Sequence, residues 1–192
     1  GVAAGVALGL LTCAPAAAQS LQCAEGVCRG KFTAVQLLRQ AEALVASGRY
    51  AEAAPMLAAL EHAPQYAMER RFLLGLAAAE TADAILLIGT NPRQEAALLN
   101  VRLRKAVKKG GAKAFSIGPD VDLSFPLTQL GDDAALLADL PAAVVEAFAS
   151  AQRPMILVGM GALKTPGLYE AARAAAAQLN VVRDGWNGFN LV

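Results

Sequence analysis

Gly89-Thr90-Asn91-Pro92-Arg93 is the stretch of this 192-residue chain best suited to meet a ligand. A glycine lets backbone approach a bound group closely, and a helix opening at Pro92 offers free N–H groups to an anion. Gly89, Thr90, Asn91 and Arg93 are therefore the candidate ligand residues, with a packing and capping turn as the plainer alternative. A second glycine stretch, Gly159-x-Gly161-x-x-Lys164, has the start of a dinucleotide fingerprint but not its third glycine, and Asp184 lies where a ribose-binding carboxylate can sit. Cys13, Cys23 and Cys28 are the cysteines and His62 is the single histidine, so a zinc or iron–sulfur site from this chain alone is not expected. Cys23 and Cys28, in C-x4-C spacing, can close a small disulfide loop in an oxidising compartment. Arg102, Arg104, Lys105, Lys108 and Lys109 cluster on one helical stretch; a solvated face with cations at a helix C-terminus explains them without a phosphate. No nucleophile–base pair and no metal set is visible, so no catalytic residue is assigned.

Composition narrows the classes. Apolar residues make up 56% of the chain and charged residues 17%, with a net charge of +1. Such a chain folds, and it lacks the basic excess of a general nucleic-acid surface, so no nucleic-acid partner is expected. Residues 1–18 read as the apolar core of a secretory signal ending in Ala16-Ala17-Ala18, and no other run approaches a membrane span.

Two patterns follow one another. Over residues 31–81 apolar positions recur at three and four: Leu37, Ala41, Leu44, then Ala53, Leu57, Leu60. Thr33 suits an N-cap, Ser47-Gly48 a helix–helix turn, and Pro64 a boundary. From Asp83 the pattern becomes strand and helix in alternation. "DAILLIG" (83–89) is a continuous apolar strand, and 92–111 a helix opened by Pro92 and closed by Gly110-Gly111. "AKAFSIG" (112–118) is a second strand. One helix, or two split at Pro141, covers 132–151. "RPMILVG" (153–159) is a third strand, and "VVRD" (181–184) begins a fourth after a further helix. This alternation predicts an α/β fold with a partial doubly wound parallel sheet, preceded by an α-helical hairpin repeat.

Both halves resemble known families. Ala41, Gly48-x-Tyr50-x-x-Ala53, Leu57 and Pro64 resemble a tetratricopeptide repeat, whose period is about 34 residues. One period after Ala41 comes Gly75, but Ala82 and Ala84 then stand where a glycine and an aromatic are wanted. The resemblance implies a helical repeat that binds a protein.

Residues 82–192 carry Ile88-Gly89-Thr90-Asn91-Pro92-Arg93 with Glu95-Ala96, then Asn100-x-Arg102-x-Arg104-Lys105, Gly111-Ala112-Lys113 and Ile117-Gly118-Pro119. "GMGAL" (159–163) and "DGWNGFN" (184–190) complete the set. These motifs resemble the molybdopterin-oxidoreductase-like domain in the large iron–sulfur subunit of NADH:quinone oxidoreductase, respiratory complex I. The resemblance implies a structural part of an electron-transfer arm that carries electrons from NADH to quinone. It implies other peripheral-arm subunits as partners, a place on the cytoplasmic face of the inner membrane, and no activity for the chain alone. In related molybdenum enzymes the Gly-x-Asn-Pro loop lies beside the cofactor. The complex I domain is a relic without molybdopterin, so no cofactor is expected in this chain. The family's iron–sulfur clusters sit on cysteines absent here. A local resemblance of residues 153–182 to the middle domain of thiamine-diphosphate enzymes supports an independent nucleotide-binding domain as an alternative.

The two halves imply different compartments, an exported one and a cytoplasmic one. The change of pattern at Thr81-Ala82 accordingly reads as a junction between two unrelated units.

Overall fold

The computed structural model describes residues 33–192 and, before them, two short strands, β1 (Gln22–Ala24) and β2 (Val27–Arg29). The signal-like segment and Cys13 lie outside the described residues. β1 and β2 pair antiparallel, and the register sets Cys23 opposite Cys28.

Three helices follow: α1 (Ala34–Ala46), α2 (Tyr50–Ala59) and α3 (Ala67–Thr81). A capping box starts α1. The Gln36 N–H donates to Thr33 Oγ1 (3.4 Å), and the Thr33 N–H donates to Gln36 Oε1 (2.8 Å). Gly48, at φ 78°, makes the turn into α2. The small residues Ala41 and Ala53 are fully buried in the core that α1, α2 and the start of α3 share with Leu37, Leu57 and Leu60.

The remaining elements are β3 (Ala84–Ile88), α4 (Pro92–Glu95), α5 (Ala97–Gly110), β4 (Lys113–Ile117), β5 (Thr128–Gly131), α6 (Ala142–Ser150), β6 (Pro154–Val158), α7 (Met160–Leu163), α8 (Leu168–Gln178), β7 (Val182–Arg183), β8 (Trp186–Asn187) and β9 (Phe189–Leu191). β5, β4, β3, β6 and β9 form one sheet in that order, and every pairing in it is parallel. β3 and β6 are buried along their whole length. That explains the unbroken apolar runs: both faces of these strands are covered, so no polar alternation is needed. Leu86, Ile88, Ile156 and Val158 face α6 and α8, and Ile85, Leu87, Met155 and Leu157 face α5 and the end of α3.

α3 belongs to both regions. Leu73 and Leu76 pack into the helical core, while Ala79 packs with Ala82 against the sheet. The helix ends at Thr81, where the sequence pattern changes, and its last turn already packs against the sheet.

Several details refine or depart from the expected elements. The helix after Pro92 breaks at Ala96 (φ −150°, ψ 73°), which separates α4 from α5. Of the two readings for 132–151, the split at Pro141 is the one that forms: a short 3-10 helix (Ala134–Leu137), then α6 with Pro141 as its N-cap. "VVRD" does not enter the main sheet: Asp184-Gly185 reverses the chain into an antiparallel β7–β8 hairpin, with Gly185 at φ 71°. The parallel strand beside β6 is instead β9, which begins after Gly188; a Cβ on Gly188 would lie 2.0 Å from the Pro154 carbonyl oxygen. β5 is an edge strand with no sequence expectation behind it.

Candidate functional site

In a doubly wound sheet, ligands gather at the C-terminal ends of strands where the order reverses. Here the chain passes from β3 outward to β4 and β5, then returns to β6 on the other side of β3. The reversal therefore lies between β3 and β6, and a crevice of about 580 Å³ opens there. Gly89, Thr90, Asn91, Glu95, Gly118, Asp120, Asp132 and Gly161 are among its lining residues.

Gly89, Thr90 and Asn91 thus come together as the sequence suggested. Arg93 does not join them. Its guanidinium donates to the carbonyl and the carboxylate of Asp122 (3.3 Å each), and the pair is mostly solvated.

The glycines have a purpose other than admitting a ligand. A Cβ on Gly159 would lie 2.3 Å from Thr90 Cβ and 2.7 Å from the Gly89 carbonyl oxygen. One on Gly161 would lie 2.8 Å from that same oxygen, and one on Gly89 would lie 2.6 Å from the Ala162 nitrogen. Gly89 also adopts φ 56°. The loops after β3 and β6 are therefore packed backbone against backbone, and the Gly161 N–H donates to the Gly89 carbonyl (3.2 Å). The resemblance of Gly159-x-Gly161 to a nucleotide loop is accounted for by this contact.

Glu95 is the residue that sequence reasoning missed. Its Oε1 accepts from the Asn91 N–H (2.6 Å) and its Oε2 from the Met160 N–H (3.3 Å). One carboxylate thus takes backbone donors from the loops after both strands. Its sequence signal was faint, a glutamate one turn after the Asn-Pro that opens α4; nothing local announced a partner 65 residues away. At the opposite end of the strands Asp83 makes the matching link, accepting from the N–H groups of Gln152 (2.8 Å) and Arg153 (2.9 Å).

A second polar centre lies away from the crevice. Glu80 on α3 is paired with Arg102 on α5 (2.7 Å) and with Lys105 (3.4 Å), and Arg102 also donates to the Tyr50 hydroxyl (3.3 Å). Burial pushes the Glu80 carboxyl up. The hydrogen bonds from Tyr50 and Arg102 and the Lys105 charge outweigh that and hold it below the usual carboxylate range. Burial, then the Glu80 carboxylate, raises the Tyr50 phenol well above its ordinary value. This centre ties the helical region to the sheet layer. It accounts for Arg102 and Lys105 of the basic cluster as structural charges.

The sequence pattern of the family described as molybdopterin oxidoreductase matches residues 28–192. The chain belongs to the molybdopterin oxidoreductase family. Its curated relatives include the mitochondrial NADH-ubiquinone oxidoreductase 78 kDa subunit of Candida albicans, 40% identical over 118 residues, which covers 59% of this chain and 16% of the relative. The mitochondrial NADH dehydrogenase (ubiquinone) iron-sulfur protein 1 of Solanum tuberosum is 37% identical over 119 residues, with the same two shares. A bacterial relative, an NADH-quinone oxidoreductase subunit of Rickettsia prowazekii, is 35% identical over 119 residues, covering 59% of the chain and 18% of that protein. The chain spans under a fifth of the length of these relatives.

The family name raises the question of a molybdopterin. Its phosphate would meet a crevice with three carboxylates, Glu95, Asp120 and Asp132, and no Lys, Arg or His in the lining. The Asn91 and Met160 amides already hold a carboxylate. Thr90 Oγ1 and Asn91 Oδ1 lack partners, yet both atoms are enclosed by protein, which keeps a ligand from reaching them. The residues present do not fit the group. Among the described residues no cluster of His, Cys, Asp and Glu is suited to a metal, and no helix is long and apolar enough to cross a membrane.

Proposed function

We propose that this chain is a structural segment of the large subunit of an NADH:quinone oxidoreductase. It holds neighbouring parts of the electron-transfer arm in place and carries no cofactor of its own. The observation that carries this reading is the identity of 35–40% with three such subunits over about three-fifths of the chain. The acidic lining of the strand-end crevice supports the cofactor-free part. Its partners are then other subunits of the peripheral arm, on the cytoplasmic face of the inner membrane. Electrons pass from NADH to quinone through iron–sulfur clusters held elsewhere in that large subunit, and the chain alone does not reduce a quinone.

Native gel electrophoresis of source-cell membranes, with tryptic peptides read from the band that oxidises NADH, tests this. "QEAALLNVR" (94–102) and "FLLGLAAAETADAILLIGTNPR" (72–93) are both expected in that band. The second peptide crosses the change of sequence pattern, so its presence places the helices in the same polypeptide as the sheet. Absence of both from the band, with detection elsewhere, overturns the assignment.

A second reading gives the helical region a protein-binding role of its own. It is supported by Met68 and Phe72, one turn apart on α3 and 79% and 53% exposed. Replacing both by Ser is then expected to release a bound protein while leaving the fold intact, as co-purification and a thermal melt would report.

A further inference from the structure

The crevice at the β3/β6 reversal is built differently from a ligand site, and Glu95 is the reason. Each of the two loops presents a backbone N–H toward the gap between them: Asn91 from the loop after β3, Met160 from the loop after β6. In a phosphate-binding fold such N–H groups point at the ligand, and the ligand's charge holds the loops in register. A side-chain carboxylate occupies them here. Its two oxygens are divided, one to each loop, and the 2.6 Å bond to Asn91 has the length of a charge-assisted one. Glu95 is the last residue of α4, and the chain leaves the helix directly after it, at Ala96.

We infer that Glu95 is a positioning residue that clasps the two strand-end loops together, taking the place a ligand anion would hold, so that the loop interlock does not depend on any bound molecule. This deepens the cofactor-free reading of the site but stands on separate measurements. Whether the chain travels with the NADH-oxidising band does not depend on Glu95.

The chemistry gives three distinguishable variants. Alanine removes both acceptors. Glutamine keeps the length but only one accepting oxygen, since its amide nitrogen cannot accept. Aspartate keeps the charge but is one methylene too short to span both loops. Residue-resolved hydrogen exchange on the full chain is the measurement. With Glu95→Ala, the Asn91 and Met160 amides should exchange on the order of tenfold faster, the loss of one charged hydrogen bond each. The Gly159 amide, which donates to the Ile88 carbonyl as an ordinary strand bond at 2.9 Å, should keep its rate. Glu95→Gln should release one of the two amides and spare the other. Glu95→Asp should release at least Met160. If Glu95→Ala prevents folding, the Glu95→Gln chain carries the test. An unchanged Met160 rate in the folded Ala variant, or two unchanged amides in the Gln variant, would reduce Glu95 to a local cap of α4 and overturn the clasp. A titration of the wild-type chain with inorganic pyrophosphate adds an independent arm. No displacement of the Asn91 and Met160 amide signals is expected, and their saturable displacement would mean that the donors remain open to an external anion.

Discussion

Glu80 and Glu95 each join two parts of the fold through one carboxylate, and they do it in opposite ways. Glu80 joins α3 to its neighbours through side chains: Arg102 and Lys105 on α5, and the Tyr50 phenol on α2. Its side chain and that of Arg102 are each 16% exposed. Glu95 bridges the β3 and β6 loops through backbone N–H groups, and it is exposed. Removing Glu80 strands a cation in a poorly solvated place. Removing Glu95 strands two amides that water can reach. A side-chain junction of the first kind resists loss because water reaches its partners only in part. A junction of the second kind governs geometry more than stability, and the rigid part of the loop contact comes from the glycines beneath it.

The largest effect should come from breaking that glycine contact. A Cβ at Gly159 meets Thr90 Cα at 2.6 Å as well as Thr90 Cβ and the Gly89 oxygen, and two of those three atoms are backbone. Neither loop can yield without moving the end of a fully buried strand. Gly159→Ala should destabilise the chain by about 3 kcal/mol or more, at the upper end for overpacking. Urea titration is the measure, and a loss under about 1 kcal/mol would show that the loops give way easily.

The next effect belongs to Glu80. Glu80→Ala leaves Arg102 without its closest carboxylate, and a loss of about 2 kcal/mol is expected, less than for a fully buried pair because water still reaches both groups. The sign of the pH dependence follows from the lowered Glu80 pKa. A carboxyl whose folded pKa lies below its unfolded value contributes stability that is complete above the unfolded value. That contribution is lost as pH falls through the folded one. Wild-type stability should therefore drop below about pH 4.5, where the unfolded carboxyl begins to take up protons, more steeply than that of Glu80→Ala. Equal slopes in the two chains would remove Glu80 from the acid response.

Tyr50→Phe probes the same centre more gently. It removes the hydroxyl that meets Arg102 and Glu80 and keeps the ring, and a cost of about 1 kcal/mol is expected from one lost hydrogen bond to charged partners. A thermal melt should show the transition still cooperative. If the helical region melted separately in this variant, the phenol would be the main tie between the two regions rather than one of several.

The contrast between the junctions also explains what the sequence disclosed. The Ala84–Ile88 and Pro154–Val158 strands were legible because both faces are covered and the apolar run is continuous. The parallel sheet followed from their alternation with helices. β5 and β9 were not legible, being edge strands of four and three residues whose pairing is fixed by the neighbours they lie against. The Asp184-Gly185 reversal carried a turn signal, but the Val181-Val182 pair before it reads as the start of a strand. At the site, Gly89, Thr90 and Asn91 were legible as a strand-end turn. Glu95 was not, because its decisive partner is a backbone amide on another loop, which no side-chain pattern encodes. The Glu80–Arg102 pair was hidden for the same reason of distance: its members fall on opposite sides of the Thr81-Ala82 change in pattern.

Arg93 gives the smallest expected effect and the sharpest use of the comparison. It belongs to the same five-residue turn as Gly89, Thr90 and Asn91, and a phosphate ligand in the crevice would need a cation of that kind. Yet its guanidinium lies with Asp122, where side-chain exposure is 57% and 84%, and it lines no part of the crevice. Such a pair is screened by water and salt, so Arg93→Ala should change stability by no more than about 0.5 kcal/mol. It should also leave the exchange of the Asn91 and Met160 amides unaltered, since neither accepts or donates to it. Glu95→Ala moves those amides and Arg93→Ala does not, if the anion that holds the loops is internal. Were Arg93→Ala to speed their exchange as well, the loops would be held by an external anion that Arg93 helps to retain, and the carboxylate of Glu95 would be its competitor rather than its replacement.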